Sequence, residues 1–143
     1  MDYSAMSFDH PSVNFVGRSA MDNGVVGVVD LCTTVSPYKA GCVTVALGGS
    51  LGSSYIQSDD FYTSQNVSVL EFPDDVPILA KLFLCQMIQN ECKYKYVAFG
   101  RELNIHIRND FDMYLPQTPN GEPDWKWMED YMRSLPYSDS IAV

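Results

Sequence analysis

No stretch of the 143-residue sequence is apolar for long enough to span a bilayer, and the opening MDYSAMSFDH lacks both the basic and the apolar part of a secretion signal. The expectation is a cytoplasmic protein with no membrane partner. Histidine is nearly absent, and His10 and His106 have no partners at metal-ligand spacing. The cysteines Cys32, Cys42, Cys85 and Cys92 include no CxxC pair and sit among apolar neighbours, so they read as reduced core residues rather than zinc ligands. Catalytic motifs are missing too. No Asn/Asp-Pro-Pro-aromatic motif of an amino-methyltransferase occurs, and neither Pro73-Asp74 nor Pro123-Asp124 leads into the Glu-x-Lys strand of a Mg²⁺-dependent nuclease. No serine or cysteine nucleophile stands in a motif with a histidine base. The adjacent pairs Asp59-Asp60 and Asp74-Asp75 read as solvated turn charges. No catalysis, no cofactor and no metal are expected.

Positive charge is also scarce. Nine Lys+Arg against eighteen Asp+Glu give a net charge of -9, which weighs against nucleic-acid binding. The distribution tempers this, because Lys81, Lys93, Lys95, Arg101 and Arg108 face only Glu91 and Glu102 in their segment while the acids crowd on either side. One face of the fold can therefore be positive. Any DNA binding by the isolated chain should still be weak, since affinity follows the number of phosphates neutralised.

With 46% hydrophobic and 19% charged residues the chain is globular, and its length fits one domain. Residues 1–12 read as a flexible lead-in and 13–143 as the domain. Asp22-Asn23-Gly24 carries the strongest turn signal, between the apolar segment 13–16 and the β-branched run 25–31, and predicts a hairpin. The stretch GCVTVALGGSLGSSYIQSDDFYTSQNVSVL predicts a strand at 42–47, a Gly/Ser-rich loop at 48–54, a short strand at 55–57, an acidic turn and a strand at 66–70. Glycines in that loop suit close backbone approach to a phosphate or base, or serve as a plain connection. Phe61 reads as core, whereas Tyr55 and Tyr62 suit either stacking or packing.

Pro77 opens a helix that runs to about Asn90 with a broad apolar surface. Lys93-Tyr94-Lys95-Tyr96 then alternates cations and rings, as a strand would present them, suiting either phosphate contact with stacking or a half-buried edge. A strand at 113–115 precedes a final helix at about 123–135, on which Trp125, Met128, Tyr131, Met132 and Leu135 recur at helical spacing. The fold class is α/β (α+β): a twisted, mainly antiparallel sheet with two or three packed helices.

A collinear series of short motifs carries a family resemblance. It comprises Phe15-Val16-Gly17-Arg18-Ser19, Asn23-Gly24-Val25-Val26-Gly27, the Gly/Ser loop, Phe61-Tyr62-Thr63, and a helix ending near Tyr94. It continues with Phe99-Gly100-Arg101-Glu102-Leu103-Asn104, Leu115-Pro116, Gly121-Glu122-Pro123-Asp124-Trp125 and Met128-Glu129-Asp130-Tyr131. In order and rough spacing these resemble the target-recognition domain of the specificity subunit of type I, and related type IIB, restriction-modification enzymes.

The resemblance implies a non-catalytic module that reads double-stranded DNA for partner methyltransferase (M) subunits, with restriction (R) subunits as further partners. Together with the residue patterns it marks candidates for DNA contact. These are Arg18 and Asn23 near the first turn; Ser50, Ser53, Ser54 and Tyr55 in and after the loop; Lys93, Tyr94 and Lys95; and Arg101. For Arg18 an ordinary surface position is an equal alternative. The stripe Trp125, Met128, Tyr131, Met132 and Leu135 is the candidate partner contact, including a homodimer through that helix. In the family this helix leads into a long spacer, and here Pro136 intervenes and the sequence ends at Val143, a departure from the pattern. A protein-interaction or regulatory module of a restriction complex is the alternative, and an acidic DNA mimic ranks below it.

Overall fold

The computed structural model describes residues 1–97, 101, 103–136 and 138–140. Six strands and three helices follow in the order β1 (Pro11–Val16), β2 (Val25–Asp30), β3 (Val43–Ala46), β4 (Ser54–Ile56), β5 (Phe61–Thr63), β6 (Val67–Leu70), α1 (Ile78–Lys95), α2 (Leu103–His106) and α3 (Trp125–Ser134). The mixed α/β class expected from sequence is the one observed, with the strands divided between two three-stranded sheets ordered β2-β1-β5 and β4-β3-β6.

The first hairpin forms where the turn signal stands. Asp22, Asn23 and Gly24 all take positive φ, a region that asparagine, aspartate and glycine reach most readily, and the Gly17 amide donates to Gly24 O at 2.8 Å. β1 then pairs antiparallel with β2, placing Phe15 opposite Gly27. On its other edge β1 runs parallel to β5, Phe15 against Tyr62. β5 lies where an acidic turn was expected. Three residues are too few to display alternation, yet Phe61 and Tyr62 are both buried. The Tyr62 hydroxyl donates to Val35 O and accepts from the Cys32 amide. Asp60 is also more than a solvated turn charge, because it holds Lys39 Nζ at 2.7 Å and accepts from the Ala40 amide at 3.0 Å.

The second sheet packs its fully buried strand β3 against α1, where Val43, Val45, Cys85, Ile88 and Cys92 make one core. Val16, Cys42 and Phe61 join the two sheets, with Val67 and Val69 packed against them. A further core lies between α1 and α3, built on Val76, Ala80, Leu84 and Met128. Of residues 1–12, read as a flexible lead-in, Pro11 and Ser12 open β1 and the preceding ten contact the first sheet. Tyr3 meets Phe15 edge-on at 5.1 Å, and Asp30 accepts from Ser7 Oγ and from the amides of Asp9 and His10.

Two expected strands are absent. α1 continues through Lys93-Tyr94-Lys95, because Cys92 falls one turn after Ile88 on the buried face and keeps the helix worth extending; only Tyr96 leaves it, with φ -126° and ψ 143°. Residues 113–115 have no ladder partner among the described residues. Met113 and Leu115 turn inward beside the α1–α3 core, and Tyr114 is 92% exposed. Such alternating burial imitates a strand without one.

Candidate nucleic-acid interface

The Gly/Ser loop sits between the first hairpin and the end of α1, and both neighbours dictate its glycines. Gly52 has φ +80°, and a β-carbon there would lie 2.3 Å from Cys92 Cβ, so only glycine lets the loop seat on the helix. At Gly49, with φ +66°, a β-carbon would meet Arg18 O at 3.1 Å. The loop's amides turn inward as well: Ser50 N donates to Arg18 O, Gly52 N to Ala46 O and Ser53 N to Ser50 O. The glycines thus serve close packing of backbone on backbone and on helix. Of the two roles their composition allowed, phosphate approach and plain connection, these contacts fit the connection.

Several candidate side chains are engaged in this packing. Ser54 is buried and its hydroxyl donates to Gly52 O at 2.8 Å, so it is a structural residue of the loop base and not the DNA contact expected. Tyr55 sends its hydroxyl to Ala20 O at 2.9 Å. Asn23 is exposed, while its carbonyl accepts from the buried Gln57 side chain at 2.9 Å. Ser50 and Ser53 are half-buried in the loop.

The basic residues fall into two groups. Arg18 is exposed beside the loop, its guanidinium 3.6 Å from where a β-carbon of Gly48 would stand. Lys93, exposed on α1 directly after the Cys92 that touches Gly52, lies 5.5 Å from the ring of Tyr94, itself 81% exposed. Neither has a carboxylate partner among the described residues. Lys95 instead contacts Glu91 and Asp112, and Arg101 contacts Asp110 at 3.5 Å while lying over the Tyr96 ring. The glycine expected to open a loop before Arg101 falls at residues 99–100, outside the described residues. Among the described residues no group of three or more His, Cys, Asp and Glu is placed to hold a metal ion.

A family model described as the type I restriction modification DNA specificity domain matches residues 8–136. The chain belongs to this family. It is a target-recognition domain of the specificity-subunit kind, a module for DNA specificity in type I restriction-modification. No curated protein matches the chain. No helix among the described residues is long and apolar enough to cross a membrane.

In this specificity domain the α3 stripe divides in two. Met128 is fully buried against α1, which makes it core and corrects its expected place in a contact surface; Trp125 and Met132 are half-buried. Tyr131 and Leu135 are exposed, at 44% and 38%, and so is Trp127, which sequence reasoning passed over. Trp127 stacks on Tyr131 at 5.3 Å, and Phe83 of α1 meets both edge-on. The 127, 131, 135 spacing was the available signal, since steps of four keep one helical face. Beside this row a groove of about 620 Å³ opens between α1 and α3, lined by Leu82, Phe83, Met87, Tyr131, Met132 and Leu135 among others.

Proposed function

We propose that this domain reads double-stranded DNA as the target-recognition module of a type I-like restriction-modification complex, without a catalytic centre of its own. The observation that carries the reading is that Arg18 lies beside the loop and Lys93 directly follows the Cys92 that touches it, both cations being exposed and without carboxylate partners among the described residues. Cations in this position fix a protein on phosphates, while neighbouring polar and aromatic groups reach base edges. The test begins by selecting duplexes from a random library with the purified chain. Affinity for an enriched duplex is then measured at several salt concentrations for the wild type and for Arg18→Ala and Lys93→Ala. Each substitution is expected to weaken binding and to flatten the salt slope by about one. No enrichment, or unchanged slopes, would remove the reading.

The exposed row Trp127, Tyr131 and Leu135, with the groove beside it, supports α3 as the surface that meets a methyltransferase subunit. Large aromatic side chains in an apolar depression are the groups that dominate protein interfaces.

A further inference from the structure

The segment after α2 brings two carboxylates onto Lys95 and Arg101, two cations that the sequence marks as candidates for DNA contact. Asp110 is fixed from two sides: its amide donates to His106 O at 3.1 Å, and its Oδ1 meets His106 Nδ1 at 2.6 Å. Its second oxygen, Oδ2, lies 3.5 Å from Arg101 Nη2. Two residues on, Asp112 Oδ1 reaches Lys95 Nζ at 3.5 Å, and the same ammonium contacts Glu91 one helical turn back. Phe111 between them stacks on Tyr96 at 5.8 Å, the ring over which Arg101 lies at 5.1 Å. One aromatic anchor therefore holds an acid toward each cation. Arg101, Asp110, Lys95 and Asp112 are all about half exposed or more, so these contacts exchange readily.

We infer that Asp110 and Asp112 are specificity-determining residues that compete with DNA phosphates for Arg101 and Lys95. The inference rests on the DNA-recognition reading above. Non-specific affinity comes almost wholly from counterion release, one ion for each phosphate neutralised. A guanidinium that leaves a carboxylate to meet a phosphate uncovers an acid that recruits a cation, and the gain cancels. Binding to a random sequence is thereby suppressed. Contacts to base edges carry no such penalty, so the ratio of cognate to random affinity rises. Both aspartates act through the cations and are positioning residues.

The experiment compares the wild-type chain with Asp110→Asn/Asp112→Asn and with the charge-conserving Asp110→Glu/Asp112→Glu. The probes are a duplex enriched from a random library and a scrambled duplex of equal length and composition, titrated across salt concentration. The Asn pair is expected to bind the scrambled duplex about tenfold more tightly at low salt, with a slope steeper by about one to two, and to lose discrimination. The Glu pair restores both. A folded Asn pair with unchanged slope and ratio would overturn the inference while leaving the recognition reading intact. The absence of any enriched duplex, with Arg18→Ala silent, would remove that reading and the inference with it. If the Asn pair does not fold, the single variants Asp110→Asn and Asp112→Asn decide. At least one should tighten scrambled-duplex binding and steepen its salt slope, and folded single variants with unchanged slope and ratio overturn the competition.

Discussion

Cys85 and Cys32 carry the same thiol into opposite surroundings. Burial pushes Cys85 up to about 12, and burial followed by the nearby Glu91 charge pushes Cys92 up to about 11. At Cys32 a hydrogen bond with the Thr34 hydroxyl, at 3.2 Å, lowers the pKa and favours the thiolate. Iodoacetamide at mildly alkaline pH should therefore label Cys32 first, with Cys85 and Cys92 labelled only after denaturation, as read by peptide mass spectrometry. Labelling of Cys92 at the rate of Cys32 would mean that the end of α1 opens in the native state. Asp30 gives a pH dependence. Its pKa is held below the ordinary 3.8 by the Ser7 hydroxyl first and then by the His10 and Asp9 amides. The folded pKa lies under the unfolded one, so this contribution to stability is complete above the unfolded value and is lost as pH falls through the folded value. Exchange protection of the His10 amide should disappear over that acid range, and Asp30→Asn should lose it at neutral pH. The burial of Cys42, Cys85 and Cys92 was legible from their apolar neighbours, although Cys32, read as core with them, is half-buried; the acceptor role of Asp30 was not legible, because its partners lie twenty or more positions away.

Elements with a full period of apolar residues were legible, and the short ones were not. The β1–β2 hairpin, α1 and α3 stand where turn chemistry and periodicity put them. β5 has only three residues and depends on β1 for its definition; the motif series placed the end of α1 near Tyr94, close to the observed Lys95, whereas periodicity suggested a strand there because Lys-Tyr alternation satisfies both periods over four residues. The same limit applied on α3, where hydrophobicity alone cannot say which of two neighbouring rows turns inward. Met128→Ala should cost about 2–5 kcal/mol of stability in urea unfolding, as expected for a fully buried methionine. Tyr131→Glu/Leu135→Glu should leave the unfolding midpoint nearly unchanged and abolish pull-down of a methyltransferase subunit. Loss of folding in the second variant would make the outer row core as well. In the loop, Gly52→Ala should destabilise by about 1–3 kcal/mol, because alanine is strained at φ +80° and its β-carbon meets Cys92.

For the whole molecule, the family was legible in the order of many short motifs, while the workings of the candidate interface were not. The glycines allowed either phosphate approach or plain connection, and the contacts that require them, with Arg18 and Cys92, are ones only the folded chain brings together. Charge balance at this scale sets a further expectation. With a net charge of -9, and five basic residues paired to acids among the described residues, the isolated chain should bind even a selected duplex weakly and lose it on adding salt. Fluorescence anisotropy across salt concentration checks this, and tight, salt-insensitive binding would contradict it. The parallel pairing of β1 with β5 bears on something else, the order in which the molecule is made. Val45 meets Ser54 across a short hairpin and Val16 meets Val25 across another, whereas Asn14 must find Phe61, so joining β5 to the first hairpin closes a far longer loop before its contacts repay the lost chain entropy. Nucleation on the β1–β2 and β3–β4 hairpins follows, with the β1–β5 pairing arriving late. A conservative truncation at Val45 should then slow refolding in stopped-flow experiments, while Phe61→Leu on β5 should chiefly speed unfolding.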